Sequence, residues 1–372
     1  MSPAFALGDR TSSDILTSAE LHRNAPDVPA VTTDDRPIAY WLLACCAMIF
    51  AMVVIGGITR LTESGLSIAE WRPVTGIFPP LSEADWRRVF DLYRQIPQYE
   101  LINRGMSLAE FKEIFWWEYI HRLWGRLIGF VFALPFLYFL IRGRIRRALL
   151  PHLLVMFALG GLQGLLGWYM VQSGLSVRTD VSQYRLTAHL GAALAIYAYI
   201  FWVALTLLWP TAPAQTAPAA ARLRRHLKAV TGLAVLTLLF GGFVAGLNAG
   251  LIYNTFPLMD GQLIPDGLLF LEPAWINLFE NPEMVQFVHR VLAMTLVAAT
   301  LWLWIRVRSV PLAGRAHLSL HLMTGMALVQ ASLGIATLLL VVPIPLAAAH
   351  QGGAVILLTL ILWALHEMRG AR

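Results

Sequence analysis

Eight runs of almost uninterrupted apolar residues alternate along this chain with short basic or longer polar connectors, at about 39–58, 119–141, 151–171, 186–209, 229–248, 285–305, 318–342 and 347–366. Each approaches the ~20 apolar residues that a helix needs to cross the hydrocarbon core of a bilayer. With no water at that depth to satisfy free backbone groups, a helix is the form such a run must take. The pattern predicts an all-α integral membrane protein with eight transmembrane helices. Residues 1–37 are polar and Pro-containing, which predicts a disordered N-terminal tail; it does not read as a cleavable signal, because the first apolar run already has full spanning length.

Two connectors carry helical patterns of their own. Ser82 with Asp85 resembles a capping box, and Trp86, Val89, Phe90 and Tyr93 follow the i, i+3, i+4, i+7 rhythm of an amphipathic helix, expected on the membrane surface. Ser107 with Glu110 is a second box. It predicts a helix that runs straight into the span containing His121, with Trp116, Trp117, Tyr119 and Trp124 at the level of an interfacial aromatic belt.

Composition agrees with the pattern: 58% of residues are hydrophobic and 13% charged, against roughly 25% charged in soluble domains, and the mean hydropathy is +0.63. The formal charge of +6 does not point to nucleic acid. Its basic residues gather in three connectors: Arg142, Arg144, Arg146 and Arg147; Arg222, Arg224, Arg225 and Lys228; Arg306, Arg308 and Arg315. The stretch 249–284 has no Lys or Arg. The positive-inside rule then predicts that both termini are cytoplasmic and that the mixed-charge loop 59–117 lies outside.

An internal repeat divides the chain. Gly56-Gly57 with Gly65-Leu66 recurs as Gly241-Gly242 with Gly250-Leu251, and Gln163 with Leu166-Gly167 recurs as Gln330 with Leu333-Gly334. His121-Arg122 answers to His289-Arg290, and Ala188-His189 with Gly191 answers to Ala349-His350 with Gly352. Four spans per half return the chain to its starting side, so the repeats are expected to be parallel. The expected organisation is a four-helix bundle over 38–209, a cytoplasmic linker over 210–227 and a second bundle over 228–368.

The histidines supply candidate chemistry. His121, His189, His289 and His350 each stand near the start of an even-numbered span, hence at similar depth toward the outer face. Ionisable or coordinating groups within a membrane are costly, so four in two matching pairs point to function. Two helices of one bundle can offer imidazoles to opposite faces of one porphyrin, and axial His is a standard haem ligand. Any single histidine can instead be a polar contact satisfied by backbone; the repeated frame argues against that reading for the set. Gly56, Gly57, Gly125, Gly241, Gly242 and Gly352 either admit a flat macrocycle or serve close helix packing. His22 falls in the tail, and His152, His226, His317, His321 and His366 read as snorkelling groups near helix ends. Arg60, Arg122 and Arg290 are candidates for pairing with propionates, because a guanidinium matches a carboxylate.

The halves differ at one position. Glu118 lies three residues before His121, on the same helix face, whereas Gln286 occupies the matching place before His289. A carboxylate can move a proton or stabilise a developing cation, and an amide cannot. Glu118 is therefore the candidate catalytic group, with pairing to Arg122 one turn on as its structural alternative. A carboxylate-bridged di-iron bundle would need two Glu-x-x-His motifs, and Gln286 breaks that scheme.

The Gly56–Ser67 run, the Glu118-x-x-His121-Arg122 motif and the three later histidines together resemble the haem A synthase family over roughly 38–368. The resemblance implies oxidation of a methyl group of haem O to a formyl group, giving haem A for cytochrome oxidase. It further implies that His121 and His189 flank the substrate haem iron, His289 and His350 flank a haem b cofactor, and Glu118 assists at the methyl group. It places the protein in the inner membrane with both haem sites toward the outer face, and suggests haem O synthase and the cytochrome oxidase assembly machinery as partners, with an unassigned electron acceptor. Some members carry a cysteine pair in the first outer loop; here residues 59–117 contain none, and Cys45 and Cys46 lie inside the first span, where packing is the expected role. The competing class is a di-haem b-type electron-transfer protein that does no chemistry on the macrocycle. A transporter built on parallel repeats lacks support, since broken helices and a midplane charge pair are missing.

Overall fold

A computed structural model describes residues 34–70, 75–175, 179–211 and 218–370. The expected tail thus lies almost wholly outside the described residues. All eight predicted spans are helices: α1 (Arg36–Leu61), α4 (Leu108–Ile141), α5 (Leu150–Gln172), α6 (Gln183–Leu208), α7 (Pro218–Gly246), α9 (Pro282–Val307), α10 (Gly314–Leu339) and α11 (Ile344–Glu367). Three shorter helices belong to the two long loops: α2 (Glu83–Tyr93) and α3 (Pro97–Leu101) in the first, α8 (Asn277–Glu280) in the second. Among the described residues there is no strand, only an isolated bridge between Met259 and Gln262.

Local chemistry explains where these helices begin. Ser82 and Ser107 each accept from the backbone N–H three residues on, while Asp85 and Glu110 reach back, so both predicted capping boxes are present. The bonds from Ser82 hold the Asp85 carboxyl below its ordinary value. Proline occupies the first turn of α1, α5, α9 and α11, where its missing N–H costs nothing. With 34 residues, α4 is about 50 Å long and exceeds the ~30 Å hydrocarbon core. Its first turns therefore stand clear of the bilayer, as the second box predicts.

Two expectations about the connectors change. Helix α7 starts at Pro218, so the linker expected over 210–227 is helical from 218 onward; residues 212–217 lie outside the described residues. Helix α2 does not leave its apolar face for the membrane surface. Trp86 and Tyr93 are buried, with Trp86 edge-on to Phe115 at 4.9 Å and Phe90 against Phe111 at 4.9 Å, so the extension of α4 supplies the partner. Tyr119 joins this cluster, and Trp124 donates to the Met48 carbonyl of α1 at 2.9 Å; Trp116 alone of the named aromatics is described as exposed.

The packing is built around α1, α6, α7 and α11. Helix α1 packs on α4 and α6, α7 on α9, and α10 on α11; α6 against α7, and α11 against α1, join the two halves of the sequence. One core cluster accordingly combines α1, α4, α5 and α6 with Val355, Leu358 and Leu362 of α11, and a second combines α7, α9, α10 and α11. Cys45 and Cys46 are buried in the first as free thiols, consistent with packing.

Candidate functional site

The four histidines stand in a common setting. His121 is on α4, His189 on α6, His289 on α9 and His350 on α11, and each ring is half-buried. Opposite every ring is a glycine of a neighbouring helix. A Cβ on Gly56 would lie 3.0 Å from His121 Nε2, and one on Gly167 3.0 Å from His189 Cε1. In the second half, a Cβ on Gly241 would lie 3.3 Å from His289 Cε1 and one on Gly334 2.7 Å from His350 Cε1. Only glycine lets an imidazole approach the backbone so closely. His121 and His189 are near enough for their charges to interact, and so are His289 and His350.

The second glycine of each Gly-Gly pair serves another contact. A Cβ on Gly57 would meet Gln351 Oε1 at 2.1 Å, and one on Gly242 would meet Thr187 Oγ1 at 2.9 Å. In each pair, one glycine makes room for a histidine of its own half and the next makes room for a helix of the other half.

Polar neighbours orient three of the rings. His289 Nδ1 lies 3.1 Å from the Thr237 carbonyl, an acceptor that requires Nδ1–H and leaves Nε2 bare. Gln163 Nε2 lies 2.8 Å from the His189 carbonyl oxygen and 3.1 Å from its Nδ1. Gln330 repeats the arrangement on His350 at 2.8 and 3.0 Å. Sequence reading registered both glutamines as repeat positions but gave them no role; the signal was their common placement three residues ahead of the Leu166-Gly167 and Leu333-Gly334 pairs.

Glu118 is buried, at 2% exposure, and its carboxylate is fully engaged. Oε2 accepts from Ser67 Oγ at 2.8 Å and from the Ile68 N–H at 2.7 Å; Oε1 accepts from Arg122 Nε at 3.0 Å and Nη2 at 2.6 Å. Gln286 has the opposite polarity toward its loop. It donates to the carbonyls of Ala249 at 2.8 Å and Tyr253 at 3.4 Å, while its oxygen accepts from Arg290 at 3.2 Å.

The two arginines are loop clamps. Arg122 donates to the carbonyls of Ile68 at 2.9 Å and Glu70 at 3.2 Å; Arg290 donates to those of Tyr253 at 2.7 Å and Thr255 at 2.9 Å. These acceptors stand three and five residues past Gly65 and Gly250 respectively, so the clamps are equivalent in register. The expected propionate partners are thus committed to backbone, and Arg60 bonds Asn248 Oδ1 at 3.0 Å.

The first loop is braced further by a chain from Asn103 Nδ2 to the Tyr93 hydroxyl, on to Gln98 Oε1, and from Gln98 Nε2 to the Glu63 carbonyl. Burial pushes the Tyr93 phenol above its ordinary value, so it relays hydrogen bonds as a neutral group. Between this loop and α4 is a cavity of about 230 Å³ lined by Phe78, Leu81, Arg88, Tyr119, Arg122 and Arg126. Tyr119, Arg122 and Arg126 share a face of α4 roughly a third of a turn from His121. His22 lies outside the described residues, and the remaining histidines among the described residues stay apart from the site. His366 is fully buried against Trp202 and Arg369 rather than snorkelling, and His152 bonds the Tyr199 hydroxyl at 2.6 Å.

These features define a polytopic membrane protein with one pair of histidines in each half and a carboxylate beside only one pair. The chain belongs to the COX15-CtaA family of cytochrome oxidase assembly proteins, whose pattern matches residues 39–362. It is 53% identical over 338 residues to the heme A synthase of Nitrosomonas eutropha, covering 91% of this chain and 95% of the relative. It is 56% identical over 338 residues to that of Rhodospirillum centenum, with 90% and 89% covered. The heme A synthase of Nitrosospira multiformis is 55% identical over 335 residues, with 90% and 94% covered.

Proposed function

We propose that this chain is an oxidoreductase that makes haem A from haem O, converting a methyl substituent to a formyl group for cytochrome oxidase. The relatives' common name supports the activity. The observation that carries the division of labour is the pair of matched imidazole settings with Glu118 beside one and Gln286 beside the other.

In this reading His121 and His189 hold the substrate haem, and His289 and His350 hold haem b. The donor set fits: paired, partly buried histidines packed over glycine-lined backbone match a bis-histidine iron site. Haem iron supplies the redox chemistry when bound. Glu118 handles the proton and charge at the reacting carbon, while Ser67, the Ile68 N–H and Arg122 fix its position. The clamped first loop keeps water from the loop end of the site. Haem b held by His289 and His350 would supply a route for electrons to an acceptor.

The assigned units are the bundles 38–209 and 228–368, embedded in the inner membrane with both termini cytoplasmic and both haem sites toward the outer face. The basic connectors support this orientation. Haem O synthase and the oxidase assembly machinery are the partners that a haem O-consuming step requires. The di-haem electron-transfer reading is favoured by one observation, that both Glu118 oxygens are taken up by the loop and Arg122. Solvent extraction of the haems from purified protein separates the two. Haem O or haem A alongside haem B is expected; haem B alone, even with haem O supplied, overturns the synthase reading.

A further inference from the structure

We propose that Arg60 binds a propionate carboxylate of the substrate haem and thereby sets which edge of the macrocycle faces Glu118. The proposal rests on the haem assignment above. Arg60 stands four residues beyond Gly56 on α1, which places it one turn, about 6 Å, toward the loop end and on nearly the same face as the glycine opposite His121. Glu118 stands one turn toward the loop end from His121 on α4. Thr59 Oγ1 donates to the Trp117 carbonyl at 3.4 Å, which puts the two helices in register there. Arg60 and Glu118 therefore lie at matching depth, each one turn beyond the contact between Gly56 and His121.

The guanidinium suits an anion that the protein does not supply. Arg122 and Arg290 are spent on loop carbonyls, and Glu118 already pairs with Arg122. Arg60 makes no ion pair among the described residues: one of its five N–H donors meets Asn248 Oδ1 at 3.0 Å in an exposed contact, and its Nε is shielded from solvent with no acceptor. Asn248, from the second half, aims the group without neutralising it. A planar guanidinium takes a carboxylate through two parallel N–H bonds. The repeat places Ala245 where the first half has Arg60, just as it places Gln286 where the first half has Glu118. Both charged groups thus belong to the half with the reacting macrocycle, and a half that only holds haem b has no edge to choose. On the haem O macrocycle each propionate shares its pyrrole ring with a methyl group, so an anchor at Arg60 brings a methyl carbon to the depth of Glu118. Orienting the reacting atom in this way is what a remote ionic anchor contributes to rate.

The test titrates haem O, and haem O dimethyl ester with its propionates uncharged, into full-length His350→Ala protein and follows the Soret band of the first-half site. Arg60→Gln in that background is expected to weaken haem O binding by about 10–100-fold, the worth of a charge-assisted pair, and to leave the affinity for the ester unchanged. Equal weakening of both ligands, or of neither, overturns the proposal. Haem B and its dimethyl ester, titrated into a His121→Ala background, read the second site in the same way. Discrimination that depends on Arg60 there and not in the first background assigns the residue to haem b and also overturns the proposal. Asn248→Asp serves if Arg60→Gln fails to fold, because it sets a competing carboxylate beside the intact guanidinium. It is expected to lower the preference for haem O over the ester, and an unchanged preference counts against the proposal. Failure of both ligands to bind the His350→Ala protein through His121 defeats the haem assignment instead.

Discussion

Replacing Glu118 by glutamine separates a chemical carboxylate from a structural one. The carboxylate accepts four hydrogen bonds, from Ser67 Oγ, the Ile68 N–H, and Arg122 Nε and Nη2. An amide has a single acceptor oxygen. If that oxygen stays with Arg122, Ser67 can turn its hydroxyl to accept from the NH2 group, but the Ile68 N–H loses its partner. If it moves to Ile68, the NH2 group faces guanidinium donors. Either way one buried donor is left unsatisfied, at a cost of about 1–3 kcal/mol. That is small against the ~5–15 kcal/mol stability of a typical fold, so Glu118→Gln should fold and keep both haems. Loss of a working acid–base group typically costs about 10²–10⁴ in rate, so formyl formation should fall by that order. Ser67→Ala is the control, because it removes one donor and leaves the carboxylate. The assay supplies haem O, quantifies formyl haem by extraction, and follows loop seating by hydrogen exchange at 66–70. Wild-type haem A yield from Glu118→Gln would refute the assignment. So would losses of activity that track loop exchange equally in both variants, which would make Glu118 a brace alone.

The other predictions concern the histidines, their glycines and the clamps. His289→Ala or His350→Ala should remove haem b while the first half still binds its haem; unchanged haem content by difference spectroscopy would count against two separate sites. Gly334→Ala places a Cβ 2.7 Å from His350 Cε1 and should displace the ring and weaken second-site haem retention, whereas Gly164→Ala enters open space and should leave haem content unaltered. Arg122→Ala should raise amide exchange at 66–70 and spare 250–255, and Arg290→Ala should do the reverse. Each loses two backbone acceptors' worth of charge-assisted bonding, about 1.5–3 kcal/mol per bond; equal exchange in both loops would contradict independent clamps.

Much of the site was legible because its signals are local. Two capping boxes, eight apolar runs and four repeated histidines each depend on residues close together in sequence. The loop helix α2 was legible as a helix but not in its partner. An amphipathic stripe records that something covers it, and whether that is lipid or Phe111 and Phe115 depends on how far α4 extends. His366 likewise read as an interfacial group because its position near a helix end is visible, whereas its burial against Trp202 is not.

The Glu118/Gln286 difference shows where local reading stops. The sequence by itself determined that one half carries an acid where the other carries an amide, because that requires only alignment of two repeats. It also determined the spans, since hydrocarbon demands a continuous apolar helix wherever the chain crosses. The tertiary structure alone decided what surrounds each side chain. The first loop turns the Ser67 hydroxyl and the Ile68 N–H toward its helix, and the second turns the carbonyls of Ala249 and Tyr253 toward the same place. An acceptor-only carboxylate suits the first and a donating amide the second. Hydrogen-bond direction is set by loop backbone conformation, which no repeat pattern encodes, and it makes the two residues complementary to their own loops as well as different in chemistry.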